Sequence, residues 1–392
     1  MGGLGPSIDP DKLMARASRT TGLSDFGDPS FREPLTLLTD ALEREAQLST
    51  IGRIGAQRTL LDHLEARLYI TDTFKQHPEL DEAPVVAPIF IIGMPRTGTT
   101  ILHELFAMDP ANRVPMAWEV KYPWPPPERE TYETDPRIIQ MDNQLAQLDK
   151  IAPEFKIKHP MGAAFPQECV AFEAFDFTTM LWHSTHNVPS YYAWLNPLDR
   201  RPVYRTHRRV LQYLQWKCPA DCWVLKSAAH MWGIEALFET YPDARIIYTH
   251  RDPVRVVASI TSLLSSLQSV ATDHVDPHRI ARDWSQTLLD GLELMEASRD
   301  RLGLGAHQIF DMKLDEFMQD EMAMMRKIYA HFGRELGDVA ETRMRAHLDG
   351  HRLDSRGTHR YRMTDSGLDP DEQRERFAFY LERNDIEPEP VA

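Results

Sequence analysis

A short loop bounded by two glycines holds one cation and leads into a predicted helix. An apolar run of Ile and Phe residues, typical of a buried strand, ends at Gly93, and Gly98 closes the loop. Glycine allows the tight turns that point successive backbone N–H groups at one anion. Thr99 and Thr100 then open the helix, whose first N–H groups are unpaired. With Arg96 inside the loop, the pattern predicts a site for phosphate or sulfate.

The 93–98 loop has the glycine spacing of the nucleotide P-loop, in which four residues separate the two glycines. A Walker P-loop next carries a lysine for the β- and γ-phosphates, whereas this chain has Thr99 there. The loop therefore departs from a nucleoside triphosphate site. A P-loop kinase acting on a small molecule stays open as the alternative enzyme, and an ordinary strand-to-helix turn as the structural alternative.

A second segment carries an arginine at the end of a predicted strand. The strand ends at His250, Arg251 follows it, and residues 254–267 continue as a predicted helix. Open α/β sheets bind ligands at the carboxyl ends of their strands, so Arg251 should lie near the 93–98 loop if the two strands are parallel neighbours. Ser259 lies two helical turns further on and should face nearly the same direction.

These segments resemble the sulfotransferases that use 3′-phosphoadenosine 5′-phosphosulfate (PAPS), of the bacterial type related to the cytosolic enzymes. In that family a Gly-Thr-Thr loop holds the 5′-phosphosulfate, and an arginine followed eight residues later by a serine holds the 3′-phosphate. The resemblance implies that the 3′-phosphate is bound by Arg251 and Ser259. It implies that the 5′-phosphosulfate is bound by Arg96, Thr97, Gly98, Thr99 and Thr100.

Sulfuryl transfer to a hydroxyl requires a base for the acceptor proton and positive charge near the leaving phosphate. The resemblance places a lysine shortly before a base histidine, and these positions are Lys226 and His230 here. Glu104 is the alternative base, since some bacterial sulfotransferases use a glutamate on the helix after the phosphate loop. Glu168 is a further candidate. Geometry has to decide among them before pKa does.

The segment from about 112 to 220 is the predicted acceptor-binding region. Its aromatic residues suit an apolar pocket for a hydroxylated lipid, steroid or phenol, although aromatic residues at helical spacing also form cores. Phe165 and Glu168 are the candidate acceptor-binding residues. Further on, the basic loop at Arg356 and Gly357 resembles the family's loop over the 3′-phosphate, with a solvated surface turn as the alternative. Residues 387–392 are predicted to be a frayed end.

Charge and composition exclude several classes of protein. A formal net charge of −15 argues against nucleic acid as a partner. Three cysteines cannot form a disulfide framework, and neither a leader nor an apolar run of roughly 20 residues is present, so a cytoplasmic enzyme without stable membrane insertion is expected. His183 and His186 have a spacing seen in metal sites but lack a third ligand, and the resemblance implies a reaction without metal.

Together the sequence predicts an α/β protein with a P-loop-like parallel sheet, helices on both faces and a helical acceptor-binding cap. Residues 1–85 are predicted to be a helical layer of the same domain, and 86–392 the core with its inserted segment at about 112–220. The predicted activity is transfer of a sulfuryl group from PAPS to a hydroxyl of a small or lipid-like acceptor. A small-molecule kinase and a catalytically inactive nucleotide-binding protein of the same fold are the alternatives. The sequence does not specify the acceptor or the oligomeric state.

Overall fold

The computed structural model of the protein describes residues 5–151, 162–219, 221–353 and 366–390. Within these residues the chain forms two compact units. The helical unit takes its residues from 1–85, 116–219 and 264–275. The sheet unit takes its residues from 86–115, 220–263 and 276–392.

The sheet unit is built on a five-stranded parallel sheet in the described part of the chain. Its strands are β1 (Ile89–Gly93), β2 (Asn112–Arg113), β3 (Cys222–Lys226), β4 (Arg245–His250) and β5 (Ile309–Lys313). Their order is β2-β3-β1-β4-β5, which makes β1 central. Ile91 is in register with Lys226 of β3 and with Ile247 of β4. The prediction that the strands before the 93–98 loop and before Arg251 are parallel neighbours is confirmed.

α-Helices precede, connect and follow these strands in the described part of the chain. They are α1 (Pro10–Thr21), α2 (Arg32–Arg44), α3 (Thr50–Gln76), α4 (Thr99–Ala107), α5 (Ala117–Lys121), α6 (Pro136–Ile151), α7 (Val170–Glu173), α8 (Leu181–Thr185), α9 (Pro189–Leu195), α10 (Arg201–Gln215), α11 (Ile234–Thr240), α12 (Pro253–Gln268), α13 (Pro277–Leu302), α14 (Leu314–Gln319), α15 (Glu321–His331), α16 (Asp338–Leu353), α17 (Pro370–Arg376) and α18 (Ala378–Arg383). Short 3₁₀ helices lie at Pro29–Phe31, Pro78–Glu82, Arg129–Thr131, Ala174–Asp176 and Ala228–Trp232.

Helices cover both faces of the sheet because of the strand order. The chain leaves β1 through α4 towards β2 at one edge, and it leaves β4 through α12 and α13 towards β5 at the other edge. Right-handed crossovers that run in opposite directions place their helices on opposite faces. The predicted α/β class with a P-loop-like parallel sheet is confirmed. No helix among the described residues is both long and apolar enough to cross a membrane.

The helical unit packs around α3. Leu61, Leu64 and Leu68 recur on one face of this helix and are at most 1% exposed, in agreement with the periodicity of the sequence. Burial of each leucine contributes about 2 kcal/mol to folding. Arg67 on the same helix donates hydrogen bonds to backbone carbonyl groups of Phe26 and Asp28, both 2.7 Å long. Arg67 therefore holds the segment at Phe26 and Asp28 against α3.

Desolvation holds four histidines in the neutral form, three of them buried and one, His186, half-buried. Burial lowers the pKa of His63, His103 and His230 to about 3 and that of His186 to about 4. Burial has the opposite effect on a carboxyl group, and it raises the pKa of Glu173 to about 7. The unfolded chain would protonate the histidines near pH 6.5 and the glutamate near pH 4.5.

We expect the protein to lose stability as the pH falls below 6.5. Between pH 6.5 and about 4 the unfolded chain holds up to four more protons on these histidines than the folded chain does. On Glu173 it is the folded chain that holds up to one more proton than the unfolded chain. The net effect should lower the free energy of unfolding by about 3 kcal/mol between pH 7 and pH 5.5. Urea unfolding at both pH values measures it, and a flat profile would show that the histidines are accessible to protons in the folded state.

Candidate active site

The 93–98 loop leaves β1 at its carboxyl end and turns directly into α4. Gly93 has a φ angle of 144°, and a Cβ at this position would lie 2.3 Å from Thr249 Oγ1 and 2.5 Å from the Thr249 carbonyl oxygen. Gly98 has a φ angle of 83° and precedes the first residue of α4. Both conformations favour glycine. The backbone conformation therefore favours glycine at both positions, and the close approach of β4 is a second requirement at Gly93.

Replacement of Gly93 with alanine should destabilise the protein by about 3 kcal/mol, because the new methyl group meets the backbone of Thr249 as well as its side chain. Gly303→Ala is the matched control. Gly303 also has a positive φ, of 61°, but a Cβ there meets nothing within 4 Å, so only about 1 kcal/mol of torsional strain is expected. Urea unfolding compares the variants. Equal losses would show that the contact with β4 is not the cause.

The interior of the 93–98 loop is fixed to β4. Thr97 is fully buried, and its hydroxyl donates to the Met94 carbonyl at 2.6 Å and lies 2.6 Å from the hydroxyl of Thr249. The side chain of Thr97 is thus committed to the loop, and its route to a bound anion is the backbone N–H. Arg96 has a φ angle of 68°, a left-handed conformation that is strained for an arginine, and such strain is common at functional sites.

The first turn of α4 is open to an anion. Gly98 is its N-cap, and no side chain caps the helix within the described residues. Thr99 is 9% exposed, whereas Thr100 is exposed. The unpaired N–H groups and the positive end of the helix dipole therefore face the 93–98 loop, as an oxyanion site requires.

Three predicted donor-binding residues come together at the ends of β1 and β4. Arg96 Nε donates to Ser259 Oγ on α12 at 3.1 Å. Arg251 donates from a terminal nitrogen to the Arg96 carbonyl oxygen at 3.0 Å. Ser259 is 3% exposed and Arg251 is largely buried. The structure thus joins the two sequence motifs, 155 residues apart, into one cationic cluster.

A residue that the sequence did not indicate completes this cluster. The Glu389 carboxylate accepts from Arg251 Nε at 2.7 Å and from a terminal nitrogen of Arg251 at 2.8 Å. It also lies 3.6 Å from Arg255 Nε. The prediction of a frayed end is therefore wrong for the described residues 387–390. Local sequence held no signal of this contact, because the segment is short, acidic and rich in proline.

Lys226 and His230 lie at the end of β3 and just after it. Lys226 is the last residue of β3 and is 5% exposed. Burial lowers the pKa of His103 on α4, and the positive charge of Lys226 adds to that effect. His230 lies on the 3₁₀ helix Ala228–Trp232, is 1% exposed and packs edge-on against Phe90 at 5.0 Å. Burial makes it a weak base, with a pKa of about 3.

Glu104 lies on α4 one turn after Thr100, so the two residues share a helix face. It is 8% exposed, and its Oε2 accepts from Nε2 of His347 on α16 at 3.0 Å. A carboxylate only accepts, which places the proton of the imidazole on Nε2. Sequence reasoning missed His347, because 243 residues separate the two positions.

The candidate acceptor residues belong to the helical unit. Phe165 is 39% exposed, and its carbonyl accepts from the Ala117 N–H at 2.9 Å. Glu168 is half-buried just before α7. Much of the aromatic segment forms the core of this unit instead of a pocket lining. The buried aromatic residues are Phe172, Phe175, Phe177, Trp182 and Tyr191. Arg356 and Gly357 lie outside the described residues.

Known proteins of one enzyme family are similar to this chain. The model of the sulfotransferase family matches residues 88–338, which include the 93–98 loop, Lys226 and Arg251. The omega-hydroxy-beta-dihydromenaquinone-9 sulfotransferase Stf3 of Mycobacterium bovis is 26% identical over 286 residues, or 67% of each chain. The same protein of Mycobacterium tuberculosis matches equally.

Two solved structures resemble the whole chain. The sulfotransferase STF1 from Mycobacterium tuberculosis H37Rv is 34% identical, with a TM-score of 0.84 over 95% of this chain and 98% of that one. The sulfotransferase STF9 from Mycobacterium avium is 32% identical, with a TM-score of 0.88 over 97% and 98%. The matched region and this likeness show that the chain belongs to the sulfotransferase family and is an enzyme that transfers a sulfuryl group.

Proposed function

We propose that this sulfotransferase takes its sulfuryl group from PAPS and transfers it to a hydroxyl group of a lipid-like acceptor. The observation that carries the proposal is the cluster of Arg96, Arg251 and Ser259, which connects the 93–98 loop with α12. Two guanidinium groups at the carboxyl ends of neighbouring parallel strands suit a nucleotide that carries two separate phosphate groups.

In this proposal the 5′-phosphosulfate binds to backbone N–H groups of the 93–98 loop and of the first turn of α4, with Arg96 beside it. Thr97, Gly98, Thr99 and Thr100 supply those groups, and the exposed hydroxyl of Thr100 is the side chain best placed to add a contact. Arg251 and Ser259 bind the 3′-phosphate. Lys226 neutralises the charge that develops on the leaving phosphate. Arg356 and Gly357 stay proposed contacts of the 3′-phosphate from the resemblance alone.

We assign the base to Glu104, with His230 as the alternative. Glu104 shares a helix face with Thr100, and one of its carboxylate oxygens is held by His347. No hydrogen bond to its other oxygen occurs among the described residues. His230 is fully enclosed, and a pKa of about 3 makes its imidazole a poor proton acceptor near neutral pH. A base must also reach the acceptor hydroxyl, which favours the glutamate.

The reaction then balances without a further reactant. The acceptor oxygen attacks sulfur, the bond between sulfur and the bridging phosphate oxygen breaks, and adenosine 3′,5′-bisphosphate leaves. Glu104 receives the proton of the acceptor hydroxyl. Arg96 and Lys226 stabilise the negative charge that moves from the sulfuryl group to the phosphate.

A relative and two residues of the predicted acceptor segment support the proposed acceptor class. The name of Stf3 describes an omega-hydroxylated menaquinone derivative, which is a lipid alcohol. Phe165 offers an exposed aromatic surface in the predicted acceptor segment, and Glu168 would orient the hydroxyl. We therefore propose a long apolar alcohol as the substrate class and leave the individual compound to experiment.

The experiment incubates the purified protein with ³⁵S-labelled PAPS and three acceptors: an ω-hydroxylated isoprenoid quinone, a hydroxysteroid and a simple phenol. We expect label in the quinone product at the highest kcat/KM. Calorimetric titrations with adenosine 3′,5′-bisphosphate and with ATP and magnesium accompany the assay. Preference for magnesium ATP would replace the proposal by the kinase alternative, and bisphosphate binding without turnover on any acceptor would support an inactive nucleotide-binding protein.

A further inference from the structure

The Glu389 carboxylate occupies the face of Arg251 that a phosphate would use. Two parallel N–H···O contacts of 2.7 and 2.8 Å join the two side chains, which is the bidentate geometry that guanidinium groups form with carboxylates and phosphates alike. Arg255, one helical turn along α12, lies 3.6 Å from the same carboxylate. A single acidic side chain thus engages two arginines at the start of α12.

The position of Glu389 is fixed by the backbone as well. Its N–H donates to Asp252 Oδ2 at 2.8 Å, while Oδ1 of the same aspartate accepts from the Val254 N–H at 2.9 Å in the first turn of α12. Asp252 is 1% exposed. Further back, Lys313 at the end of β5 forms an ion pair with Asp385 at 2.9 Å. The C-terminal segment is therefore anchored at two positions, at Asp385 and at Glu389.

We propose that Glu389 is a specificity-determining residue for the sulfuryl donor: its carboxylate fills the 3′-phosphate subsite and has to leave before a 3′-phosphorylated nucleotide binds. This inference rests on the proposed function, namely on Arg251 as the ligand of the 3′-phosphate. The carboxylate is an internal competitor that carries one charge and two oxygens. A phosphate carries nearly two charges and three oxygens and can displace it.

An internal competitor affects only the ligands that need its subsite. If the carboxylate occupies Arg251 in nine molecules of ten, the apparent Kd of any 3′-phosphorylated nucleotide is about tenfold weaker than the intrinsic value. A nucleotide without a 3′-phosphate binds at the 93–98 loop and leaves the contact between Glu389 and Arg251 intact. Glu389 therefore lowers the preference for adenosine 3′,5′-bisphosphate over ADP, and it speeds release of the bisphosphate product.

The test compares the calorimetric Kd values of adenosine 3′,5′-bisphosphate and ADP for the wild-type chain and for Glu389→Gln. We expect about tenfold tighter binding of the bisphosphate and an unchanged Kd for ADP. Glu387→Gln is the matched control, because it removes the same charge from the same segment. Glu387 is exposed and has no hydrogen bond or ion pair among the described residues. A chain that ends at Pro388 is the second variant and should behave like Glu389→Gln.

The outcomes separate this inference from the proposed function. Unchanged or weaker bisphosphate binding in both variants, while the wild type still prefers bisphosphate to ADP and loses that preference in Arg251→Ala, would overturn the role of Glu389 alone. Equal affinity for bisphosphate and ADP in both the wild type and Glu389→Gln would overturn the assignment of Arg251, and the proposed donor with it. An equal gain in Glu387→Gln would show an effect of net charge and would also overturn the inference.

Discussion

Arg251→Ala is expected to weaken the binding of adenosine 3′,5′-bisphosphate at least about 100-fold, because the variant loses two charge-assisted hydrogen bonds worth about 1.5–3 kcal/mol each. In the proposed binding mode the 3′-phosphate displaces Glu389 from Arg251. In the variant the carboxylate keeps only its contact with Arg255 and repels a 3′-phosphate. The affinity for ADP should change little. Calorimetry with both nucleotides measures the difference.

The matched control for this prediction is Arg245→Ala. Arg245 is the first residue of β4, at the opposite end of the strand from the 93–98 loop, and its guanidinium lies 5.7 Å from the centre of the Phe332 ring. It carries the same charge and lies on the strand that leads to Arg251, yet its loss should leave bisphosphate binding unchanged. Equal losses in both variants, or a parallel loss of ADP affinity in Arg251→Ala, would contradict a specific role in binding the 3′-phosphate.

Glu104→Gln is expected to lower kcat by about 10²–10⁴-fold, the usual contribution of a general base, with little change in bisphosphate affinity. Glutamine keeps the length of the side chain and can still accept a hydrogen bond from His347, so the contact between α4 and α16 is retained. The loss therefore reports on proton transfer. Initial rates with saturating PAPS and acceptor measure kcat, and calorimetry measures nucleotide binding.

His230→Asn distinguishes the two candidate bases. If Glu104 is the base, the His230 variant should keep most of its kcat, provided that its thermal unfolding matches that of the wild type. A large loss of kcat in His230→Asn, together with near-normal turnover in Glu104→Gln, would assign the base to His230. Comparable losses of turnover and of bisphosphate affinity in Glu104→Gln would show a positional effect on α4 instead of base catalysis.

The contact between His347 and Glu104 should also affect kcat. In Glu104→Gln the side chain can no longer accept a proton, so removal of His347 should cost nothing more, whereas in the wild type His347 orients an active carboxylate. A double-mutant cycle on these two positions measures the coupling between them. The coupling shows whether His347 on α16 supports the role of Glu104 in catalysis.

Local sequence was sufficient for the segments in which neighbouring residues decide the backbone. The apolar run, the glycine spacing and the two threonines of the 93–98 region predicted a strand, a loop and an open helix start, because φ preferences and hydrophobic burial act over a few residues. The same reasoning placed Arg251 beside this loop, since parallel strands align their carboxyl ends at one edge of the sheet.

Tertiary structure alone decided which side chains complete the site. His347 reaches Glu104 across 243 residues, and Glu389 reaches Arg251 across 138 residues. Neither contact can be predicted from the spacing of neighbouring residues, because helix packing and the path of the C-terminal segment bring the groups together. The exposure of the two candidate bases also depends on packing, since His230 is 1% exposed and Glu104 is 8% exposed. The sequence determined the chemistry of the loop and its cations, and the packing determined what faces them, because desolvation and contact depend on the whole chain.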